Sequence, residues 1–303
     1  MRAVAFAVLV GMVSWLPSVA LGGPATLYVS EGYRIDKVDP NGMVTTFATG
    51  TSNFEGLAVD AGGNLYASDS TGANGRVDKF TPDGAQSTFV LGYCFPYGIA
   101  FDSAGNLCQA NAYDGGSTRV YKYAPDGAAT FMGTTPSNGA CAVAVDSQDN
   151  VYVSDVQDGT VYKFLPDSEY EWGTGHQDRS VFVTGPYIPR GLAFDAQDNL
   201  YVSELTNGRI LKYDKDGVFL NVLASGLTRP AGLATDSAGN VYVATYGLGA
   251  VLPGVSMVAP DGTVTQIATF SNDAHFVAVA PEPVTLSLLA LGGLAMMRRR
   301  RTV

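Results

Sequence analysis

At 303 residues the chain is long enough for one large β domain or two ordinary domains around a buried core. Only 15% of its residues are charged, against 36 glycines and 16 tyrosines, which argues against disorder and against long solvent-facing helices. The net charge is −10, and Arg2 with the four arginines at 298–301 supplies five of the 18 basic residues; the chain between them is therefore near −15, which argues against nucleic acid as a partner. The first predicted element is an address. Arg2 is followed by an apolar run from Ala3 to Leu16, then Pro17, Ser18-Val19-Ala20 and Leu21-Gly22-Gly23. A basic start, a short apolar stretch and small residues before a cleavage point describe a secretory signal peptide over residues 1–22, too short to span a bilayer.

The middle of the chain repeats. Gly56-Leu57-Ala58-Val59-Asp60, Gly98-Ile99-Ala100-Phe101-Asp102, Ala142-Val143-Ala144-Val145-Asp146, Gly191-Leu192-Ala193-Phe194-Asp195 and Gly232-Leu233-Ala234-Thr235-Asp236 align, 41 to 49 residues apart. Each is followed by a turn, an Asn and an apolar strand such as Leu65-Tyr66-Ala67-Ser68 or Val151-Tyr152-Val153-Ser154. A third strand such as Arg76-Val77-Asp78-Lys79-Phe80 leads through Pro-Asp-Gly to a fourth. Alternating apolar and polar residues with Gly, Asn and Asp turns predict four short antiparallel strands per unit, the pattern of a propeller blade. The Pro-Asp-Gly position recurs six times, and a sixth first strand, Phe276-Val277-Ala278-Val279-Ala280, stands at the far end of the domain. The expectation is an all-β, six-bladed propeller over residues 25–280, closed by that C-terminal strand beside Leu27–Ser30 so that two sheet edges are removed.

In such blades the start of the first strand and the end of the second share one face, around the central channel. Glu55, Tyr97, Cys141, Arg190, Ala231 and His275 precede the first strands; Glu31, Asp69, Asn111, Asp155, Glu204 and Thr245 end the second. Arg34, Arg76, Arg119 and Arg209 occur in the units of Glu31, Asp69, Asn111 and Glu204, so these are expected to form loop-ordering pairs. Asp155 has Thr160 where the Arg would stand, which marks it as an unpaired acid and a candidate functional group. Two enlarged loops carry further ligand-binding candidates: Trp172, with Tyr170 and His176, in 165–180, and Tyr246 in 246–255. Of the three cysteines, Cys108 reads as a core residue, while Cys94 and Cys141 leave a bridge open.

The unit Gly-Leu-Ala-Val-Asp-x-x-Gly-Asn-Leu-Tyr-x-Ser-Asp, with a later Gly-Arg-Val, resembles the NHL-repeat propellers. It is more loosely similar to the gluconolactonase/senescence-marker-protein and virginiamycin B lyase groups. The first of these two groups implies a divalent cation such as Ca2+ held by one Glu and several Asn or Asp at the first-strand starts. Glu55 matches that Glu, but Tyr97, Cys141, Arg190 and Ala231 do not match the others. The second implies a catalytic His near the channel, for which His275 is the candidate. Glu55, Asp155 and His275 are thus the catalytic candidates of a metal-assisted lactonase or a lyase. The incomplete set favours instead a non-catalytic binding scaffold.

The chain ends in Pro281-Glu282-Pro283, an apolar stretch Val284–Met297, and Arg298, Arg299, Arg300 and Arg301. Fourteen apolar or small residues are too few to cross a bilayer unaided, and the arginines would stay on its cytoplasmic side. This order resembles the PEP-CTERM sorting signal over 281–303. The resemblance implies an exosortase as processing partner, transient membrane anchorage, and delivery to the outer envelope or exopolysaccharide matrix of a Gram-negative-type bacterium.

Overall fold

The structure, a computed structural model, describes residues 25–70, 75–91, 95–112, 116–168, 170 and 179–281. The segment 1–22, Cys94, Trp172, His176 and the tail after Pro281 lie outside the described residues. Twenty-two strands and no helix occur among those that are described. They begin with β1 (Leu27–Val38), β2 (Val44–Val59), β3 (Leu65–Asp69), β4 (Arg76–Phe80) and β5 (Gln86–Leu91). Next come β6 (Phe95–Phe101), β7 (Leu107–Ala112), β8 (Thr118–Tyr123) and β9 (Ala129–Thr134). A third group is β10 (Ala140–Val145), β11 (Val151–Asp155), β12 (Thr160–Phe164) and β13 (Arg179–Thr184). The rest are β14 (Pro189–Phe194), β15 (Leu200–Glu204), β16 (Arg209–Tyr213), β17 (Phe219–Ala224), β18 (Pro230–Thr235), β19 (Val241–Thr245), β20 (Gly254–Val258), β21 (Val264–Thr269) and β22 (Val277–Val279).

Strands β6–β9, β10–β13, β14–β17 and β18–β21 form four antiparallel sheets of four strands each, in a propeller-like arrangement. The remaining strands form one curled six-stranded sheet in the order β22-β1-β2-β3-β4-β5. Its long strands change partner along their length. Leu27–Val29 of β1 pair with Val279–Val277, whereas Arg34–Val38 pair with Thr49–Val44 of β2. Gly32, at φ 61°, sits at the changeover, and the later half of β2 pairs with β3 through Phe54↔Asp69 and Leu57↔Ala67. The inner strands touch in a closed cycle: β2 with β6, β6 with β10, β10 with β14, β14 with β18, β18 with β22, and β22 with β2.

The repeat's chemistry explains this regularity. In the turn after β10, Asp146 accepts from the Gln148 and Asn150 amides, and Asn150 Nδ2 returns a bond to it at 2.7 Å. The Tyr152 hydroxyl then donates to the same carboxylate at 2.9 Å, as Tyr201 does to Asp195 and Tyr242 to Asp236. Each buried tyrosine therefore fills the space between sheets and satisfies its polar end. Cys108 replaces that tyrosine in β7 and is a free, buried thiol whose pKa burial pushes up to about 12.

The serine of the second strand ties neighbouring sheets together. Ser203 Oγ accepts from the Gly191 amide at 2.7 Å and donates to the Ala231 carbonyl of the next sheet at 2.6 Å. Ser154 likewise accepts from Ala142 and donates to the Arg190 carbonyl, Ser30 accepts from Phe276 and donates to Glu55, and Ser68 donates to Tyr97. All four acceptors are residues at the first-strand starts, so these hydroxyls fix the backbone of the channel face.

The acid–arginine pairs form in three units: Glu31–Arg34 at 2.9 Å, Asp69–Arg76 at 3.0 Å and Glu204–Arg209 at 2.5 Å. Two expectations fail. Asn111 is buried, and neither atom of its amide finds a hydrogen-bond partner, so it forms no pair with Arg119. Asp155 is not an unpaired acid facing the channel. It is fully buried and accepts from the Ser137 hydroxyl at 2.6 Å and the Gln157 amide at 3.0 Å, which supply the donors that Arg supplies elsewhere.

The first pair has a pH signature. Glu31 and Asp36 are buried carboxylates sharing Arg34, and burial, then the Asp36 neighbour, pushes the Glu31 pKa up to about 7 from 4.5. The folded state thus holds a proton that the unfolded chain releases above pH 4.5, and this contribution to stability is lost as pH rises from there through about 7. After allowance for solvent screening, roughly 1–2 kcal/mol should disappear across that window. Urea melts from pH 5 to pH 8 should show the fall, and Glu31→Gln should flatten it; an unchanged slope in the variant would assign it elsewhere.

Candidate functional site

The residues that open the first strands gather at one end of the inner strands, held there by the serine contacts. Glu55 is buried and its carboxylate meets His275 Nδ1 at 2.9 Å, although the two are 220 positions apart. The edge of the His275 ring packs on Tyr246, with centroids 5.2 Å apart. Two guanidinium groups lie against that same tyrosine, Arg190 at 5.0 Å and Arg229 at 5.1 Å from the ring centre. Tyr246 is therefore a buried residue, packed among His275, Arg190 and Arg229.

The electrostatics are simple at neutral pH. Burial raises the pKa of Tyr246, Tyr97 and Cys141, so all three carry their protons. Arg190 is pulled down by burial, but the nearby Cys141, Tyr246 and Glu55 groups hold it above its ordinary value, and it stays charged. Neither Arg190 nor Arg229 forms a salt bridge among the described residues, and Arg190 Nε and the Tyr246 hydroxyl are buried with no hydrogen-bond partner. Cys141 is a free thiol, so the bridge to Cys94 left open by the sequence is not formed.

Beside this cluster lies a cavity of about 140 Å³ lined by Tyr97, Asn138, Gly139, Ala140, Cys141, Val156, Gln157 and Arg190. A groove of about 490 Å³ adjoins it across Val156 and Gln157 and runs along Asp158, Gly159, Pro186, Tyr187 and Ile188. Ile188 and Arg229 occupy equivalent places just before Pro189 and Pro230, and both have positive φ, 53° and 44°. A β-branched residue in that region, and before a proline, is held against its preference by the surrounding structure; such positions concentrate at binding sites. The rim also exposes Tyr187 and the loop-tip residues Leu248, Val251 and Leu252.

Tyr97, Cys141 and Arg190 thus share one cavity, and Glu55, His275, Tyr246 and Arg190 form one chain of contacts. Asp155 is engaged beneath the surface, and Trp172 lies outside the described residues. Arg229, Asn138, Gln157 and Tyr187 were missed. Arg229 and Tyr187 flank the first-strand starts, two and three positions before Ala231 and Arg190, and Asn138 and Gln157 lie in the loops of the unit where Asp155 lacks its Arg.

No family model and no curated protein matches the chain. Solved structures do. The nidogen/laminin complex matches with a TM-score of 0.71 and 16% identity, over 85% of this chain and 98% of that one. The fold is a β-propeller. A streptogramin B lyase matches with a TM-score of 0.59 and 16% identity over 86% of this propeller and 88% of its own chain. A gluconolactonase from Xanthomonas campestris matches with a TM-score of 0.56 and 20% identity over 74% and 78%. These neighbours range from a protein–protein complex to a lactonase and a lyase, so the likeness speaks for the scaffold and not for one activity.

The cation implied by the lactonase resemblance is a poor fit to this ring. The propeller's first-strand starts offer one carboxylate and one imidazole, and these bond to each other; the other positions are a tyrosine, a buried neutral thiol, an arginine and an alanine. Among the described residues no three His, Cys, Asp or Glu side chains come together as a metal site.

Proposed function

We propose that this chain is an exported, six-bladed propeller that acts as a non-catalytic binding scaffold, its channel face presented to a polysaccharide, peptide or protein partner. Six blades follow if the curled sheet is read as two blades sharing the continuous strand β2, with β22 as the inner strand of the first; the closed cycle of inner strands supports that count. Export rests on the leader-like segment 1–22 and the sorting-like tail 281–303, and with them processing by an exosortase and an envelope or matrix location. The observation that carries the binding role is the rim itself. It joins two uncompensated arginines, a groove and exposed apolar side chains, while its one acid–imidazole pair lacks the donors a metal-assisted reaction would need.

A glycan and peptide array probed with the full chain should show saturable binding. It should drop at least about tenfold in a Tyr187→Ala, Leu248→Ser double variant that melts like the parent. The Glu55–His275 contact favours a second reading, acid–base chemistry of a lyase or lactonase. Turnover of a lactone or a streptogramin, lost in Glu55→Gln together with a stoichiometric divalent ion, would replace the scaffold by an enzyme.

A further inference from the structure

Arg190 is the charged element of the rim cavity that the protein's own groups leave unfinished. A guanidinium has five N–H donors in a planar fork, and a largely buried one is ordinarily met by a carboxylate or by several carbonyls. Here its Nε is buried without a partner and no described side chain forms a salt bridge with it. Its neighbours stop short of an ion pair. Cys141 and Tyr246 are neutral, and Glu55 is engaged by His275. Asp155 and Asp158, the other acids of this quadrant, are committed to Ser137 and to the Tyr162 hydroxyl. The Tyr246 hydroxyl is a second buried group without a partner.

We propose that the channel mouth captures the C-terminal carboxylate of a peptide or protein, with Arg190 gripping the carboxylate in the smaller cavity and the last residues lying in the adjoining groove. This rests on the scaffold reading above and names its ligand. Three features select this chemistry. A planar anion suits an arginine whose Nε is unbonded, since a guanidinium can offer a carboxylate two parallel bonds. The smaller cavity, about 140 Å³ and lined by Cys141 and Ala140 beside Arg190, has room for a carboxylate and the atoms next to it, and a chain end presents that anion with the fewest atoms around it. The groove beyond it, about 490 Å³, has the volume for a few residues. Its walls mix Val156, Pro186, Tyr187 and Ile188 with the amide of Gln157, and so suit an apolar or aromatic side chain beside a peptide backbone. Tyr187, more than half exposed, is placed to cover that side chain.

The test uses the full chain and a pool of tetrapeptides ending in Val, Leu, Phe or Tyr, prepared both as free acids and as C-terminal amides. Fluorescence anisotropy should show the free acids binding at least about tenfold more tightly than the amides, the margin expected of a charge-assisted pair. Arg190→Gln should erase that difference while its melting temperature stays within about 2 °C of the parent, since the charge lost forms no salt bridge and glutamine keeps a side chain beside Tyr246. Tyr187→Ala should weaken the free acids severalfold yet leave competition by acetate unchanged. Equal binding of acid and amide, no binding of either, or an unaltered preference in Arg190→Gln would each overturn the proposal. So would glucuronate competing as well as the free acids, which would assign the site to an acidic saccharide. If the peptide pools fail while rim variants still lose an array ligand, the scaffold reading stands and only this inference falls. If bound peptides are cleaved, the scaffold reading falls instead.

Discussion

Val277→Asp should unfold this propeller or cost it at least about 4 kcal/mol, whereas Val264→Asp should change stability by less than about 0.5 kcal/mol. Both are valines in strands, and the difference lies in where those strands sit. Val264 is 42% exposed on the outer strand β21. Val277 is 3% exposed, packs with Leu27, Val29 and Tyr242, and pairs with Val29 across the junction of the two chain ends. A carboxylate there would be buried in an apolar cluster. Dislodging β22 does more than open a local pocket, because that strand also touches β2, β18 and β19. Its loss would leave the inner edge of β1 unpaired, so the variant should also associate through that edge. Urea denaturation with light scattering reads both effects. A Val277→Asp protein that melts like the parent and stays monomeric would mean that the two ends do not close the structure.

The junction was legible because a repeat with a missing member can be completed in only one way. Five first strands in order, and a sixth copy ending in Ala280 where the others have Asp, predicted that the last strand has no hairpin after it and pairs with Leu27–Ser30; the register Leu27↔Val279 to Val29↔Val277 realises that pairing. The channel-face residues were legible for the same reason, since strand period and turn position fix which side chains share an end. What the pattern could not carry was the identity of each partner. The missing Arg marks Asp155 as unpaired, but Ser137, 18 positions away in a loop between strands, satisfies it. An Arg in register predicts a pair for Asn111, yet its amide is left without a bond. A repeat specifies backbone positions strongly and hydrogen-bond partners weakly, because loops outside the repeat can supply the donor. The serine ties between sheets were visible as the Ser of Tyr-x-Ser-Asp, but their role needs two sheets placed side by side. The merging of β1 and β2 into one curled sheet likewise depends on the Gly32 turn and on a direct run from Thr49 to Phe54, neither of which breaks an alternating pattern.

Gly191→Ala should be among the most damaging conservative changes in the domain, at about 3 kcal/mol or more, for a reason unrelated to backbone flexibility. Gly191 does not have a left-handed φ, so an alanine there meets no conformational penalty and would even restrict the unfolded chain, a small gain. The cost is entirely one of space. A Cβ at this position would stand 2.1 Å from the Ala231 carbonyl oxygen and 2.9 Å from the Leu233 amide, both backbone atoms of the next sheet. That carbonyl cannot swing aside, because Ser203 Oγ holds it at 2.6 Å while accepting from the Gly191 amide itself. Gly105→Ala supplies the contrast. Its φ is 80° and nothing lies within 4 Å, so it should lose only about 1 kcal/mol through the left-handed backbone. Thermal or urea melts of the two variants should therefore rank them opposite to the order their φ values suggest. The reverse ranking would mean that the sheets meet less closely along the channel than these atoms indicate. Whatever fraction of Gly191→Ala still folds must open the gap between β14 and β18, and Arg190, one residue away, would move with it. Free-acid peptides should then lose their advantage over amides in a protein whose arginine is intact.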